Sequence, residues 1–249
     1  MSVIQYILET MKSHKLHMTL VDPAKQAPEA AGAIAAKAEA AGSDAVMVGG
    51  STGVTQDNLD RTVDEIKKVS RLPVIYFPSG ANAIAKRCDA IYFMSMLNSK
   101  NPRNITGEHW RGAPLIKALG LETLSMGYII VEPGMKVGEV GEADPVARDD
   151  RERAVGYALA AELFGMALVY LEAGSGAPAP VPSDMIQAVK GSISVPLVVG
   201  GGITSPDMAR EVALAGADIV VTGTLVENGD FEEPLGEVVS AVHNATGRP

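Results

Sequence analysis

The feature that most constrains the fold is a regular alternation of short apolar runs with helical segments along a chain of 249 residues. Each run is short and almost continuously apolar, which is typical of strands buried on both faces of a parallel sheet. The runs are His17–Val21, Ala45–Val48, Pro73–Phe77, Ala90–Met94, Thr123–Val131, Ala167–Leu171, Val195–Val199 and Asp218–Val221. Eight strands alternating with helices predict an α/β fold closed into a (β/α)8 TIM barrel, and about 250 residues is the usual length of one such domain.

The barrel prediction has two local features. Residues 3–13 carry apolar side chains at helical spacing, which predicts a short N-terminal helix before the first strand. Only Ala81–Asp89 separate the third and fourth strands, too few for a crossover helix with its loops. We therefore expect a single domain over residues 1–249 in which the third helix is missing or irregular and the barrel wall is thin there.

Composition excludes several classes of partner. The net charge of −9 argues against nucleic acid and against general attraction to an anionic membrane. No apolar run approaches the ~20 residues of a membrane span, and the N-terminus has no signal pattern, so a cytoplasmic protein is expected. Cys88 is the only cysteine; it has no internal disulfide partner, and we expect it to be buried rather than catalytic.

Glycines follow the last two strands, where TIM barrels commonly hold a phosphate. Strand seven ends in Gly200–Gly202 and strand eight in Gly223 and Thr224. Glycine lets backbone N–H groups approach an anion closely, and a following helix N-terminus adds partial positive charge. A phosphorylated small molecule is the predicted ligand, although a glycine run of this kind also makes a tight turn.

A second group of polar residues follows strands one and two. Asp22 and Ser51 carry the hard oxygen ligands that Mg²⁺ takes, and Lys25 provides a point charge for phosphate. Each also has a structural alternative: Asp22 as a turn residue, Lys25 as a solvated side chain and Ser51 as a helix cap. If the functional interpretation holds, the barrel carries two anion sites and takes two phosphorylated substrates.

Apolar residues at and beyond the ends of strands three to five suggest a groove for an apolar chain, although such residues are more often ordinary core. They are Tyr76, Phe77, Tyr92, Met94, Met96, Leu97, Tyr128 and Ile130. His14, His17, His109 and His243 lie away from the strand ends and are expected to be non-catalytic. Trp110, on the outside of the fourth helix, favours a subunit contact because aromatic residues are enriched at interfaces.

Five segments together resemble the archaeal geranylgeranylglyceryl phosphate synthases and their bacterial heptaprenylglyceryl relatives. The segments are Asp22–Lys25, Val48–Ser51, Tyr170–Gly176, Val199–Ile203 and Val221–Thr224. The first and third are the more specific, and the resemblance covers essentially the whole chain in order. This family is known for a barrel without a normal third helix.

The resemblance implies a Mg²⁺-dependent prenyltransferase that joins geranylgeranyl diphosphate to the C3 hydroxyl of sn-glycerol 1-phosphate. Asp22 and Ser51 would hold the Mg²⁺ bound to the diphosphate, Lys25 would assist the diphosphate, and Glu172 is the candidate base. The residues implied to hold sn-glycerol 1-phosphate are Tyr170, Leu171, Glu172, Ala173, Gly174, Ser175, Gly176, Gly201, Gly202, Gly223 and Thr224.

The resemblance also implies a homo-oligomer, dimeric or hexameric, an archaeal source and a transient membrane-surface contact for collecting the prenyl substrate. Three other functions remain open from the residues alone. A sugar-phosphate isomerase or an amino-acid-pathway barrel would use the same phosphate site without needing Asp22 and Ser51. A flavin-binding oxidoreductase would place the FMN phosphate there, and a non-catalytic binding barrel is disfavoured because polar groups converge from six or more strand ends.

Overall fold

The computed structural model of the chain describes residues 1–227 and 231–245. Eight parallel strands pair in sequence order, and the eighth pairs with the first, so the sheet closes into a TIM barrel as predicted. The strands are β1 Leu16–Val21, β2 Ala45–Val48, β3 Val74–Tyr76, β4 Ala90–Met96, β5 Glu122–Ile130, β6 Leu168–Glu172, β7 Leu197–Gly200 and β8 Ile219–Thr222.

Helices surround the barrel and pack on the outward side chains of the strands. They are α1 Val3–Thr10, α2 Pro28–Ala40, α3 Gln56–Val69, α4 Glu108–Leu119, α5 Met135–Val140, α6 Arg151–Leu163, α7 Ser183–Lys190, α8 Pro206–Leu214 and α9 Glu232–His243. A π-helical turn, Arg103–Gly107, precedes α4, and a 3-10 turn, Thr224–Glu227, follows β8. No helix in residues 1–227 or 231–245 has the length and apolar character needed to cross a membrane.

No helix connects β3 to β4, which confirms that the third crossover helix of the barrel is missing. Helix α3 lies before β3, because α1 precedes the first strand. Residues 77–89 contain no helix, and their backbone runs as turns and irregular structure. Ala83, Ile84 and Ala85 are nevertheless buried against the outer layer of the core, and Ala83 O accepts a hydrogen bond from Tyr76 Oη at 3.0 Å. The segment is therefore packed through small side chains and leaves space between β4 and α4.

One local prediction needs correction. Residues 135–144 are glycine-rich and read as a loop, but their first six form α5. Gly141 caps this helix and allows close packing, since a Cβ there would lie 2.3 Å from Met96 Cε. The fourth helix runs over Glu108–Leu119 as its pattern predicted, and Pro114, considered as an alternative first turn, lies inside it.

The N-terminal end of the barrel is closed by α1, as the leading helical pattern predicted. Val3 and Ile7 of α1 are buried in the cluster that fills the barrel interior. The Glu122 carboxylate accepts hydrogen bonds from the N–H groups of Val3 and Ile4 at 2.6 and 2.8 Å, which satisfies two free donors of the helix N-terminus. A ligand of the barrel therefore enters at the opposite end, where the strands end.

Candidate active site

A cavity of about 110 Å³ opens at the carboxyl ends of the strands. Glycines and hydroxyl side chains after β6, β7 and β8 line it, as expected for a phosphate site. Residues from β1 to β5, or from the turns that follow these strands, complete the wall. Its lining is Leu20, Gly49, Gly50, Ser51, Phe77, Pro78, Ser79, Met94, Tyr128, Val137, Tyr170, Glu172, Ser175, Gly201, Gly202, Ile203, Val221, Thr222, Gly223 and Thr224. The predicted phosphate loops and Ser51 of the predicted metal site therefore share one cavity.

Glu172, the last residue of β6, is the buried carboxylate of this cavity. Its Oε1 accepts a hydrogen bond from Gly174 N–H at 2.7 Å, and its Oε2 accepts one from Tyr128 Oη at 3.2 Å. Burial raises the pKa of Glu172, and hydrogen bonds, the one from Gly174 the largest, oppose that shift. A carboxyl group with a raised pKa at a cavity wall suits general base chemistry near neutral pH.

Glycines form the floor beside Glu172 because larger residues do not fit. A Cβ on Gly200 would lie 2.1 Å from Tyr170 Oη, and one on Gly201 would lie 2.5 Å from Glu172 Oε1. Gly201 and Gly202 also have φ values of +85° and +71°, a region that side chains other than glycine rarely adopt. The glycine run is thus needed both for its backbone conformation and for the close approach of β6 side chains.

The backbone around this floor offers free hydrogen-bond donors. Within residues 1–227 and 231–245, the N–H groups of Gly201, Gly202, Gly223 and Thr224 donate no hydrogen bond to another protein group. Gly202 is buried, and a buried N–H without a partner is costly unless a ligand or water accepts its hydrogen bond. Four such donors at the ends of β7 and β8 fit a phosphate.

The motif Tyr170–Gly176 divides between the cavity and the core. Tyr170, Glu172 and Ser175 line the cavity, and Ser175 Oγ lies 3.5 Å from Thr224 Oγ1 across the two loops. The side chains of Leu171 and Ala173 instead pack in the cluster between the barrel and its helices. This split follows from strand alternation, which sends neighbouring side chains to opposite faces.

Asp22 lies beside Gly50 at the ends of β1 and β2. A Cβ on Gly50 would fall 2.2 Å from Asp22 Oδ1, so glycine is required for this approach. Asp22 Oδ1 accepts the Ala24 N–H at 2.9 Å, which is the turn role considered from sequence. Burial raises the pKa of Asp22, because its surroundings do not fully compensate the negative charge of the carboxylate. A bound cation would stabilise that charge.

The structure removes one alternative for Ser51. Helix α3 is capped by Thr55, whose side chain accepts the Asn58 N–H, so Ser51 does not serve as the cap. Ser51 instead lines the cavity and also the groove next to it. Asp22 and Ser51 therefore offer hard oxygen atoms on both sides of Gly50.

Lys25 is about half exposed to solvent, and it does not line the cavity. Its Nζ makes an ion pair with Glu227 Oε1 at 2.6 Å, which ties the turn after β1 to the turn after β8. Glu227 had no assigned role in the sequence reading, because nothing in the local pattern links residues two hundred positions apart. Lys25 must exchange this carboxylate for an anionic ligand before it can assist one.

An apolar groove of about 110 Å³ runs from Ser51 between β4 and α4, over the gap left by the missing helix. Of the aromatic and Met positions proposed for it, Tyr92, Met94 and Met96 line it. Tyr128 and Phe77 line the central cavity instead, and Tyr76 packs in the outer core layer. The remaining lining residues are Pro78, Ser79, Gly80, Ala81, Ile84, Ile91, Phe93, Asn104, Glu108, His109, Gly112, Ile116, Val137, Val140 and Gly141.

The sequence did not predict the positions of two residues at these walls. Tyr128, placed in the groove by sequence reasoning, contacts Glu172, and only strand register shows this, since β5 pairs Tyr128 with Tyr170. His109, considered unrelated to the site, lines the groove beside Phe93, with ring centroids 4.4 Å apart.

Cys88 is free and buried, and burial raises its pKa to about 11, so it is not a nucleophile.

The match to a known family decides which barrel this is. Residues 8–242 match the PcrB family. The chain belongs to the PcrB family.

Relatives across this family are similar over nearly their whole length. A geranylgeranylglyceryl phosphate synthase from Pyrococcus horikoshii is 49% identical over 242 residues, which is 97% of this chain and 95% of that protein. One from Thermococcus gammatolerans is 53% identical over 232 residues, covering 93% of this chain and 92% of that protein.

Solved structures share the barrel fold, some closely and others only in outline. (S)-3-O-geranylgeranylglyceryl phosphate synthase from Thermoplasma acidophilum, in complex with its substrate sn-glycerol-1-phosphate, superposes with a TM-score of 0.95 at 41% identity, covering 98% of this chain and 99% of that one. Thiamine phosphate pyrophosphorylase from Pyrococcus furiosus, at 15% identity and a TM-score of 0.63, shares the fold alone.

Proposed function

We propose that this protein is a geranylgeranylglyceryl phosphate synthase, which transfers the geranylgeranyl group of its diphosphate to the C3 hydroxyl of sn-glycerol 1-phosphate. The product carries the first ether bond of an archaeal membrane lipid. The observation that carries the proposal is the junction of two sites. A glycine-floored cavity containing Glu172 and a long apolar groove share Ser51, Pro78, Ser79, Met94 and Val137.

The cavity fits the phosphorylated glycerol. The free N–H groups at Gly201, Gly202, Gly223 and Thr224 suit its phosphate. Ser175 Oγ and Thr224 Oγ1 provide hydroxyl groups at the same loops. Glu172 lies on the wall of the same cavity, so it is placed to accept a hydrogen bond from a glycerol hydroxyl.

The diphosphate end fits Mg²⁺. Asp22 and Ser51 supply hard oxygen donors, and burial raises the pKa of Asp22, so a bound cation would stabilise its charged form. Mg²⁺ held there would neutralise charge on the diphosphate and so make it a better leaving group. Lys25 would add a second positive charge once it leaves Glu227.

The reaction follows from these placements. The prenyl C1–O bond breaks and diphosphate leaves with the bonding electron pair. The allylic cation that forms is captured by the glycerol C3 oxygen, which its own site holds at the junction of cavity and groove. Glu172 accepts the hydroxyl proton as the ether bond forms. The apolar walls exclude water, which would otherwise compete for the cation.

The other functions considered from sequence find less support. An isomerase or a flavin enzyme would explain the phosphate loops, but neither accounts for an apolar groove that begins at Ser51, near the half-buried Asp22. The groove lies against α4, and its mostly apolar lining suits an apolar chain rather than a sugar.

We further propose that the protein is a homo-oligomer and touches the membrane surface only transiently to collect its prenyl substrate. Large apolar side chains are exposed on the outside of the barrel: Trp110 is 73% exposed, Leu163 85% and Phe164 74%. Such residues are enriched at subunit interfaces. Sedimentation or light scattering of wild type and Trp110→Ala would test the role of α4; an unchanged mass would remove Trp110 from the interface.

The decisive test is diphosphate release from geranylgeranyl diphosphate, measured with and without sn-glycerol 1-phosphate, in Mg²⁺ and then in EDTA. Release should require both the acceptor and the metal. No release, together with tight binding of another phosphate compound, would leave the phosphate site standing and remove the prenyltransferase.

Glu172→Gln separates its two roles. As a base, Glu172 should be needed for turnover far more than for binding, so the variant should lose at least about a hundredfold in kcat, the scale of general base catalysis. Its affinity for sn-glycerol 1-phosphate should change much less. An equal loss of both would make Glu172 a binding residue only.

A further inference from the structure

A second cluster of potential ligands lies at the opposite end of the barrel from the proposed active site. Asp44 precedes β2 and is buried, with 7% of its surface exposed. Its Oδ1 lies 2.9 Å from His14 Nε2, and its Oδ2 lies 2.9 Å from His243 Nε2. His14 follows α1 and His243 is the last residue of α9, so three distant parts of the chain meet here.

We propose that His14, Asp44 and His243 form a transition-metal site that takes Zn²⁺ or a similar borderline divalent cation. All three ligand atoms lie within 4.8 Å of one another. Two imidazoles, one carboxylate and a water make the four-coordinate set that Zn²⁺ prefers. Mg²⁺ prefers oxygen ligands, so this site is chemically distinct from the one at Asp22 and Ser51.

The carboxylate is ready to bind a cation. Burial alone would raise the pKa of Asp44, but hydrogen bonds from His243, His14 and the His17 N–H outweigh that effect and hold the pKa below its usual value. The His17 N–H donates to Oδ2 at 2.8 Å, which also fixes the orientation of the carboxylate. A fixed, charged carboxylate that both imidazoles already face is a preorganised ligand set.

The cluster must adjust around an ion. With metal–ligand bonds of about 2.0–2.1 Å, a tetrahedral site has ligand atoms about 3.4 Å apart. His14 and His243 contact different oxygens of Asp44, each at 2.9 Å, so the imidazole on the coordinating oxygen moves back by about 0.5 Å and the other imidazole turns toward that oxygen. Each Nε2 gives up its hydrogen bond to the carboxylate, and the ring hydrogen moves to Nδ1, so neutral imidazole coordinates through its lone pair.

The cluster is accessible to solvent, and an ion bound there would join three elements of the fold. The side chains of His14 and His243 are 30% and 25% exposed, so an ion and its water can enter from solvent. The ion would link the end of α1, the start of β2 and the end of α9. Because the unfolded chain does not hold these groups together, binding would stabilise the folded protein by mass action.

The test uses the full-length, untagged protein stripped of metal, in Mg²⁺-free buffer, titrated with ZnCl₂ by calorimetry and followed by thermal melting. Wild type should bind one Zn²⁺ per chain and melt at higher temperature as free Zn²⁺ rises. His243→Gln and His14→Gln should each weaken binding at least tenfold and remove most of the shift in Tm. His109→Gln, the matched control from outside the cluster, should bind Zn²⁺ as wild type does.

Co²⁺ gives a second readout that does not depend on stability. Coordination by two imidazoles and a carboxylate should produce intense visible absorption from a four-coordinate centre, which His243→Gln should abolish. Either of two results would overturn the proposal: no saturable Zn²⁺ binding to wild type, or equal binding to wild type, His14→Gln and His243→Gln. The cluster would then be a set of hydrogen bonds that fastens the helix ends.

Discussion

Replacing Tyr128 by Phe tests how the protein sets the acidity of Glu172. The change removes the hydroxyl that donates to Glu172 Oε2 at 3.2 Å and keeps the ring, which packs edge-on against Tyr170 with centroids 5.1 Å apart. A hydrogen bond to a charged group contributes about 1.5–3 kcal/mol. Because 3.2 Å is long for an O–H···O bond, we take the lower end of that range.

The expected result is a shift in pH dependence. The hydroxyl stabilises the charged carboxylate, so its loss raises the pKa of Glu172 further above its usual value. About 1.5 kcal/mol corresponds to about one pKa unit. The acidic limb of the profile of kcat/KM against pH should move about one unit toward higher pH, with about a tenfold loss on that limb and little loss at the plateau.

The assay is diphosphate release across the pH range, with Tyr92→Phe as the matched control. Tyr92 is equally buried on the neighbouring strand β4, but its hydroxyl contacts Met18 Sδ at 3.4 Å rather than Glu172. Its profile should keep the wild-type acidic limb. An unmoved limb in Tyr128→Phe, or the same shift in both variants, would refute the reasoning.

Three further changes are informative. Gly50→Ala should raise the KM for prenyl diphosphate and the Mg²⁺ requirement at least tenfold while sparing binding of sn-glycerol 1-phosphate measured by calorimetry, because its Cβ would fall 2.2 Å from Asp22 Oδ1. Glu172→Gln should flatten part of the pH dependence of the free energy of unfolding measured in urea. The folded carboxyl binds its proton more tightly than the unfolded one, so wild type loses stability relative to the variant as pH rises from about 4.3 through the raised pKa. Gly112→Leu should favour a C15 over a C20 donor in competition assays, since a Cβ there would already contact Ala81 Cβ at 3.6 Å and the rest of the leucine would fill the groove; an unchanged preference would show that the chain does not pass α4.

Periodicity and composition were sufficient for the architecture. Buried parallel strands must be apolar on both faces, and the short connection before β4 cannot contain a crossover helix, so both features follow from local sequence. Helix α5 was missed because Gly138 inside it and Gly141 directly after it suppress helix propensity, and Gly141 is required for close packing against Met96. Tertiary packing outweighs propensity in a helix this short.

The candidate active site also has one part that the sequence predicted and another that only the tertiary structure determined. Gly201, Gly202 and Glu172 stand at strand ends, and a parallel barrel brings strand ends to one face, so the sequence alone predicted that they share a cavity. The contact of Tyr128 with Glu172 depends on strand register. The pairing of Lys25 with Glu227 and the meeting of His14, Asp44 and His243 depend on closure of the barrel. These contacts join residues far apart in the chain, and no local pattern encodes them; only the three-dimensional fold determines which distant side chains become neighbours and how burial changes their charge.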